Sequence, residues 1–166
     1  MADKEEGKSV KAGEFETGRL YRTKKPFSSL EYDMDAHPRW LLYLGNSSSF
    51  DGKVFAYVFS STTQLQHFVD GGDKENSAHR SYKKGTFGFT EDCIICFDDI
   101  IDYLSEDEIA EYEPELKGVF SLEELRNVYN CIRKSNKIKF IVKTDIHNNL
   151  GNIGIKGLLK PKRKKR

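Results

Sequence analysis

The chain has 166 residues, 37 % apolar and 32 % charged, and its 27 cationic and 26 acidic side chains nearly cancel to a formal net charge of +1. That length and apolar share fit one domain with an appended tail, and the balanced total removes any case for nucleic acid from global charge. The charges are unevenly spread, however: residues 98–115 are strongly acidic, and the end, Lys160-Pro161-Lys162-Arg163-Lys164-Lys165-Arg166, carries six cations in seven residues. Three cysteines, an odd number, argue against a disulfide framework. No signal peptide opens the chain, and no apolar run approaches the roughly 20 residues of a membrane helix. The expected setting is the reducing cytoplasm, without a membrane.

Residues 1–17 are polar, charged and punctuated by glycine, and are expected to be mobile. Gly18–Thr23 alternates apolar with polar side chains and predicts a first strand. Lys24–Asp35 is polar and acidic, the candidate rim or lid of a site. Trp40–Leu44 and Val54–Phe59 are strand-length runs rich in aromatic and β-branched residues, joined by a turn-rich linker at residues 45–53 that is too long for a tight hairpin turn. Ala36-His37-Pro38-Arg39 leads into the first run, and Ser60-Ser61-Thr62-Thr63-Gln64 leaves the second. If the two runs pair, both polar clusters meet at one end of the sheet, gathering an arginine, a histidine and several hydroxyls suited to a phosphate.

Leu65–Val69 extends that strand or begins a short one, and residues 70–77 form a loop. His79-Arg80-Ser81-Tyr82-Lys83-Lys84 is basic with one aromatic. Cys93–Phe97 is continuously apolar and predicts a central strand buried on both faces. Ser105 with Glu108 and Ser121 with Glu124 are capping boxes. The first opens a short helix ending before Pro114; the second opens the longest helix, with Leu122, Leu125, Val128, Tyr129 and Ile132 on one face and an end near residues 134–136. Lys137–Lys143 alternates basic with apolar residues and predicts one more strand. Residues 148–166 are expected to form a flexible basic tail, of which 150–166 are dispensable for folding and add salt-sensitive affinity for nucleic acid. The domain proper is then 18–147. Strands followed by one long helix define an α+β fold, expected as a small twisted barrel with the helix over one opening.

Chemistry must be assembled from separated segments. In a strand, Cys93 and Cys96 point to opposite faces and cannot chelate one zinc. No Walker loop, dinucleotide fingerprint, nucleophile elbow or zinc-binding histidine pair occurs, so neither a cofactor nor a metal is expected.

The order His37-Pro38-Arg39, apolar strand, Asn46-bearing loop, apolar strand, Thr62-Thr63 resembles the core motif of the MazF/PemK-type toxin family. Gly18-Arg19-Leu20-Tyr21 resembles that family's opening strand, residues 90–100 its final core strand, and residues 118–125 its glycine and capped C-terminal helix. The likeness spans about residues 16–135. It implies an SH3-like β-barrel with a C-terminal covering helix. It also implies a metal-independent endoribonuclease that cleaves single-stranded RNA by 2′-OH attack, usually a homodimer neutralised by an antitoxin-like partner. In that family an arginine at the Arg39 position and a threonine at the Thr62 or Thr63 position act at the scissile phosphate. The physics agrees: the charge on phosphorus needs a cation, which Arg39 supplies through its fork of donors, and His37 or His67 can move a proton near neutrality. His67, Arg80, Lys83 and Lys84 are the candidate RNA contacts. Pro38 precedes Arg39, whereas the family has arginine before proline. The alternative is therefore a catalytically inactive SH3-like module that binds nucleic acid or a protein.

Overall fold

A computed structural model describes residues 7–27, 37–48 and 51–163; most of the expected rim at 24–35 lies outside them. Among the described residues six antiparallel strands, β1 (Arg19–Thr23), β2 (Trp40–Asn46), β3 (Ala56–Thr62), β4 (His79–Tyr82), β5 (Cys93–Ile101) and β6 (Pro114–Val119), form one sheet. Their order is β4-β5-β3-β2-β1-β6. The helices are α1 (Glu106–Ala110), α2 (Leu122–Lys134) and α3 (Phe140–Asn152), and a 3-10 turn at Leu65–His67 stands where strand had been allowed. The protein is α+β, as expected.

The sheet is buried on both faces, which is why its central strands are continuously apolar. Leu42, Leu44, Tyr57, Phe59, Ile95 and Phe97 pack beneath α2 and α3. Their alternates Leu41, Tyr43, Ala56 and Val58 form a second core with Phe27, Ile101 and Ile109. Cys93 belongs to the first core and Cys96 to a third cluster with Phe68 and Ile94, so the two thiols do face opposite ways.

A closed barrel is not formed. β4 and β6 are the two edges, and no ladder joins them among the described residues. The turn after β4 does meet β6: a Cβ at Gly118 would lie 1.7 Å from the Phe87 carbonyl oxygen, so the chain passes there only without a side chain. The sheet is strongly curled and open.

Helix α2 forms as its pattern predicts, with Leu125, Val128, Tyr129 and Ile132 buried. Leu122 is the exception, 55 % exposed in the first turn. Ser121 accepts from the Glu124 N–H at 3.1 Å, but the box is not reciprocal. The Glu124 carboxylate is instead drawn away from the helix start. It takes the Arg80 guanidinium on both oxygens, the Tyr82 hydroxyl at 2.8 Å and the Asn127 amide at 3.2 Å. This ties α2 to the edge strand β4. Burial alone would raise the Glu124 pKa, but these hydrogen bonds outweigh burial and hold it below the ordinary value of 4.5. A depressed folded-state pKa stabilises the fold above the unfolded pKa, and that contribution is lost as pH falls through the folded value. Glu124→Gln is expected to cost about 1–3 kcal/mol at neutral pH and to flatten the acid limb of a plot of melting temperature against pH. An acid limb as steep in the variant as in the wild type would assign acid sensitivity to other carboxylates.

Three expectations fail at the chain's ends. Lys137–Lys143 is not a strand; most of it belongs to α3. The alternation Ile138, Phe140, Val142 suggested period two, but Val142, Ile146 and Leu150 recur every four residues and are all buried under α3. Lys143, itself buried, donates to the Arg133 carbonyl at 2.8 Å and the Ser135 carbonyl at 2.7 Å, placing its charge at the C-terminal end of α2. Asp145, also buried, accepts from the Tyr57 hydroxyl at 2.6 Å and the Ser48 N–H at 3.1 Å. Two ionic residues thus sit under α3 because each has partners there.

The flexible tail does not start at residue 148. Residues 148–152 finish α3, and Ile155 is buried in the main core. Nor is the whole of 1–17 loose. Ser9 bridges Glu115 on β6, the Val10 N–H donates to the Pro114 carbonyl at 2.7 Å, and Phe15 packs on Tyr21 and Tyr43 with ring centroids 5.1 and 5.4 Å away. Residues 7–10 therefore cover the β6 edge and Phe15 packs against β1 and β2, which polar composition alone concealed.

Candidate functional site

The register between β2 and β3 decides what meets at the sheet end. Leu41 lies opposite Ser60 and Leu42 opposite Phe59. Continuing that register two residues past Leu41 sets Arg39 level with Thr62. On the other side β1 pairs Arg22 with Trp40. The polar clusters before β2 and after β3 therefore converge. They line a cleft of about 480 Å³ with Arg22, His37, Arg39, Trp40, Thr62, Thr63, Gln64, Phe89 and Glu91 in its walls.

Backbone bonds fix this end. The fully buried Thr23 hydroxyl accepts from the Arg39 N–H at 2.9 Å and donates to the Lys25 carbonyl at 2.9 Å. The Thr23 N–H donates to the Arg39 carbonyl at 2.9 Å, and the Phe27 N–H to the His37 carbonyl at 3.0 Å. The main chain through His37 and Arg39 is thereby pinned to the end of β1. Thr62 Oγ1 accepts from the Gln64 N–H at 3.1 Å, closing the turn that carries Thr63. The indole of Trp40 lies 5.6 Å from the Phe89 ring, and the Arg22 guanidinium sits over it at 5.8 Å. Phe89 is held in turn by Tyr82 and Phe120.

The cleft thus combines two guanidinium groups, hydroxyls, an imidazole, one carboxylate and an aromatic wall. Cations and hydroxyls bind phosphate oxygens, and an aromatic face takes a nucleobase. Cys93 also borders the cleft, but burial pushes its thiol up to about 11 despite a hydrogen bond from Ser61, so it is no thiolate nucleophile at neutral pH.

A second groove of about 700 Å³ shares Arg39, Thr62 and Gln64 with the first and runs along the opposite face of the sheet. Its charges are mixed. His67 Nδ1 is 2.8 Å from Asp73, and Lys74 is 3.0 Å from Asp99 and lies over the Phe68 ring at 5.7 Å.

Of the residues expected from sequence, Arg39, Thr62, Thr63 and His37 share the first cleft, and His67 lines the second groove. The remaining three lie elsewhere. Arg80 is committed to Glu124. Lys83 is 3.7 Å from Asp92, and the Lys84 N–H donates to the same carboxylate at 2.8 Å, on the turn after β4. Sequence reasoning passed over Arg22, Glu91 and the Trp40–Phe89 pair. For Arg22 a signal existed: it is two residues from Leu20, so strand alternation places it on the same face.

No protein-family model matches the chain, and no curated protein matches it.

Proposed function

We propose that this protein binds single-stranded RNA in the cleft at the end of β2 and β3 and cleaves it without a metal, by attack of a ribose 2′-OH. The observation that carries the reading is the convergence of Arg39, Thr62, Thr63 and His37, from two separated segments, beside Arg22, Glu91 and an aromatic wall. Arg39 neutralises the scissile phosphate, Arg22 holds a neighbouring one, and a threonine hydroxyl donates to a phosphoryl oxygen. Trp40 and Phe89 give a flanking base a face to stack on. Glu91 or His37 takes the proton of the 2′-OH as it attacks phosphorus, and the other returns a proton to the departing 5′-oxygen. The products are a 2′,3′-cyclic phosphate and a 5′-hydroxyl.

The curled sheet with its two long helices on one face is, in this reading, a divergent and open relative of the SH3-like barrel, and the protein acts as a MazF/PemK-like toxin. A homodimer and an antitoxin-like partner belong to the same reading. The test is purified protein incubated with long mixed-sequence RNA in EDTA, with products resolved by gel and their ends analysed. Discrete fragments ending in cyclic phosphate are expected. RNA bound but left whole would replace the enzyme by a binding module.

A further inference from the structure

The basic end of the chain is only partly a tail. Beyond α3 it is strapped back over the helices by three side chains that each hold a backbone carbonyl. The Arg126 guanidinium donates to Lys156 at 2.8 Å, His147 Nε2 to Leu158 at 3.1 Å, and the Tyr129 hydroxyl to Leu159. Ile155 anchors the start of the strap in the core.

This strap delivers Lys162 and Arg163 to the start of α3. There they join Lys137 and Lys139 around a groove of about 580 Å³ floored by Phe140 and Ile141. The Arg163 guanidinium lies 4.9 Å from the centre of the Phe140 ring. Ile141 is 55 % exposed. No carboxylate lines the groove among the described residues, and none of them pairs with Lys137, Lys139, Lys162 or Arg163. Helix α3 starts here with no side-chain cap, so its positive end adds to the field. A solvated tail would spread these charges. Gathering four of them works against folding through their mutual repulsion, and a bound polyanion removes that penalty.

The geometry points to a second binding site, in which this groove takes single-stranded RNA by its phosphates, with one base laid against the Phe140–Arg163 pair. Three features fit a nucleic acid strand. The surface is concave, its cations ring an aromatic floor, and a guanidinium stacked on a ring is a platform for a base. The choice of RNA as the polyanion rests on the proposed function; the groove itself does not depend on the cleft. Arg39 and the groove cations take separate phosphates, so strands long enough to reach both bind more tightly than short ones.

The experiment measures binding of full-length protein to a short mixed-sequence RNA with 2′-O-methyl riboses, which cannot be cleaved, over a range of salt. The triple variant K137Q/K139Q/K162Q changes only exposed side chains, and its melting temperature serves as the check on folding. With about 0.7 in slope per phosphate contact on a single strand, the triple variant is expected to flatten the plot of log K against log salt by about 2. Phe140→Leu is expected to weaken binding roughly tenfold with the slope unchanged, because it removes stacking and no charge. Arg39→Ala separates the two readings: it leaves the groove's slope contribution in place, whereas loss of cleavage on unmodified RNA reports on the cleft alone. An equal salt slope in wild type and triple variant overturns the groove site. So does a wild type that ignores RNA but binds vesicles of anionic phospholipid through these lysines, which would make the surface a membrane contact.

Discussion

Replacing Arg39 with alanine is expected to slow the proposed RNA cleavage by about 100- to 1000-fold, the usual consequence of removing one preorganised donor from a developing anion. The expectation rests on placement. Arg39 stands level with Thr62 at the strand end, and its backbone is clamped by Thr23 on both sides, N–H and carbonyl each at 2.9 Å. So fixed a backbone leaves no main-chain freedom to be lost when the side chain meets a phosphate. Arg39→Lys keeps the charge but not the planar fork, so it is expected to be nearly as damaging. Thr62→Val and Thr63→Val identify the working hydroxyl. Thr62 already accepts from Gln64 at 3.1 Å, so its loss also loosens the turn, and the melting temperature distinguishes the two effects. Single-turnover cleavage in EDTA is the measurement. Equal rates for wild type and Arg39→Ala would move the chemistry away from this cleft.

Arg22 sets a control of a different kind. It lies in the same cleft over the Trp40 ring, reachable from β1 but not among the residues to which the resemblance assigns a role. Its proposed role as a second cation predicts that Arg22→Gln raises KM more than it lowers kcat, since a ground-state phosphate contact contributes equally to both states.

The elements that were legible in the sequence are those whose signal is local. Ser105 and Ser121 announce α1 and α2 because capping is a matter of three neighbouring residues. Trp40–Leu44 and Cys93–Phe97 announce central strands because burial on both faces removes every polar residue from the run. The convergence of Arg39 with Thr62 was legible for a related reason: an antiparallel pair joined by a linker must bring the residues flanking its open end together. What escaped depends on distant partners. Lys137–Lys143 mimics a strand until Ile146 and Leu150 are counted with Val142. Lys143 and Asp145 look like surface charges until α2's carbonyls and Tyr57 are in place. Arg80 looked like an RNA contact because nothing in its neighbourhood names Glu124, 44 residues away, as its partner. The Ser121 box likewise pointed Glu124 back toward its own helix start, and the edge strand won it instead.

Removing residues 151–166 is expected to destabilise the protein, against the first impression that composition gives of a dispensable basic tail. The deleted stretch contains Ile155, buried in the main core, and the Leu159 carbonyl that accepts from Tyr129. Burying a side chain of that size contributes about 1.5–3 kcal/mol, and leaving the Tyr129 hydroxyl without its acceptor costs about 1–3 kcal/mol more. The sum, about 2.5–6 kcal/mol, corresponds to a fall in melting temperature of roughly 5–24 °C for a domain of this size. Ile155→Ala in the intact chain isolates the packing part and is expected to cost about 2–5 kcal/mol. Truncation after Pro161 retains Ile155, Leu158 and Leu159 and is expected to melt close to wild type. Urea unfolding of the three proteins measures all of this on one scale. If the deletion of 151–166 and the truncation after Pro161 unfold at the same midpoint, the strap contributes nothing to the fold, and the cations it carries are displayed on a loose end after all.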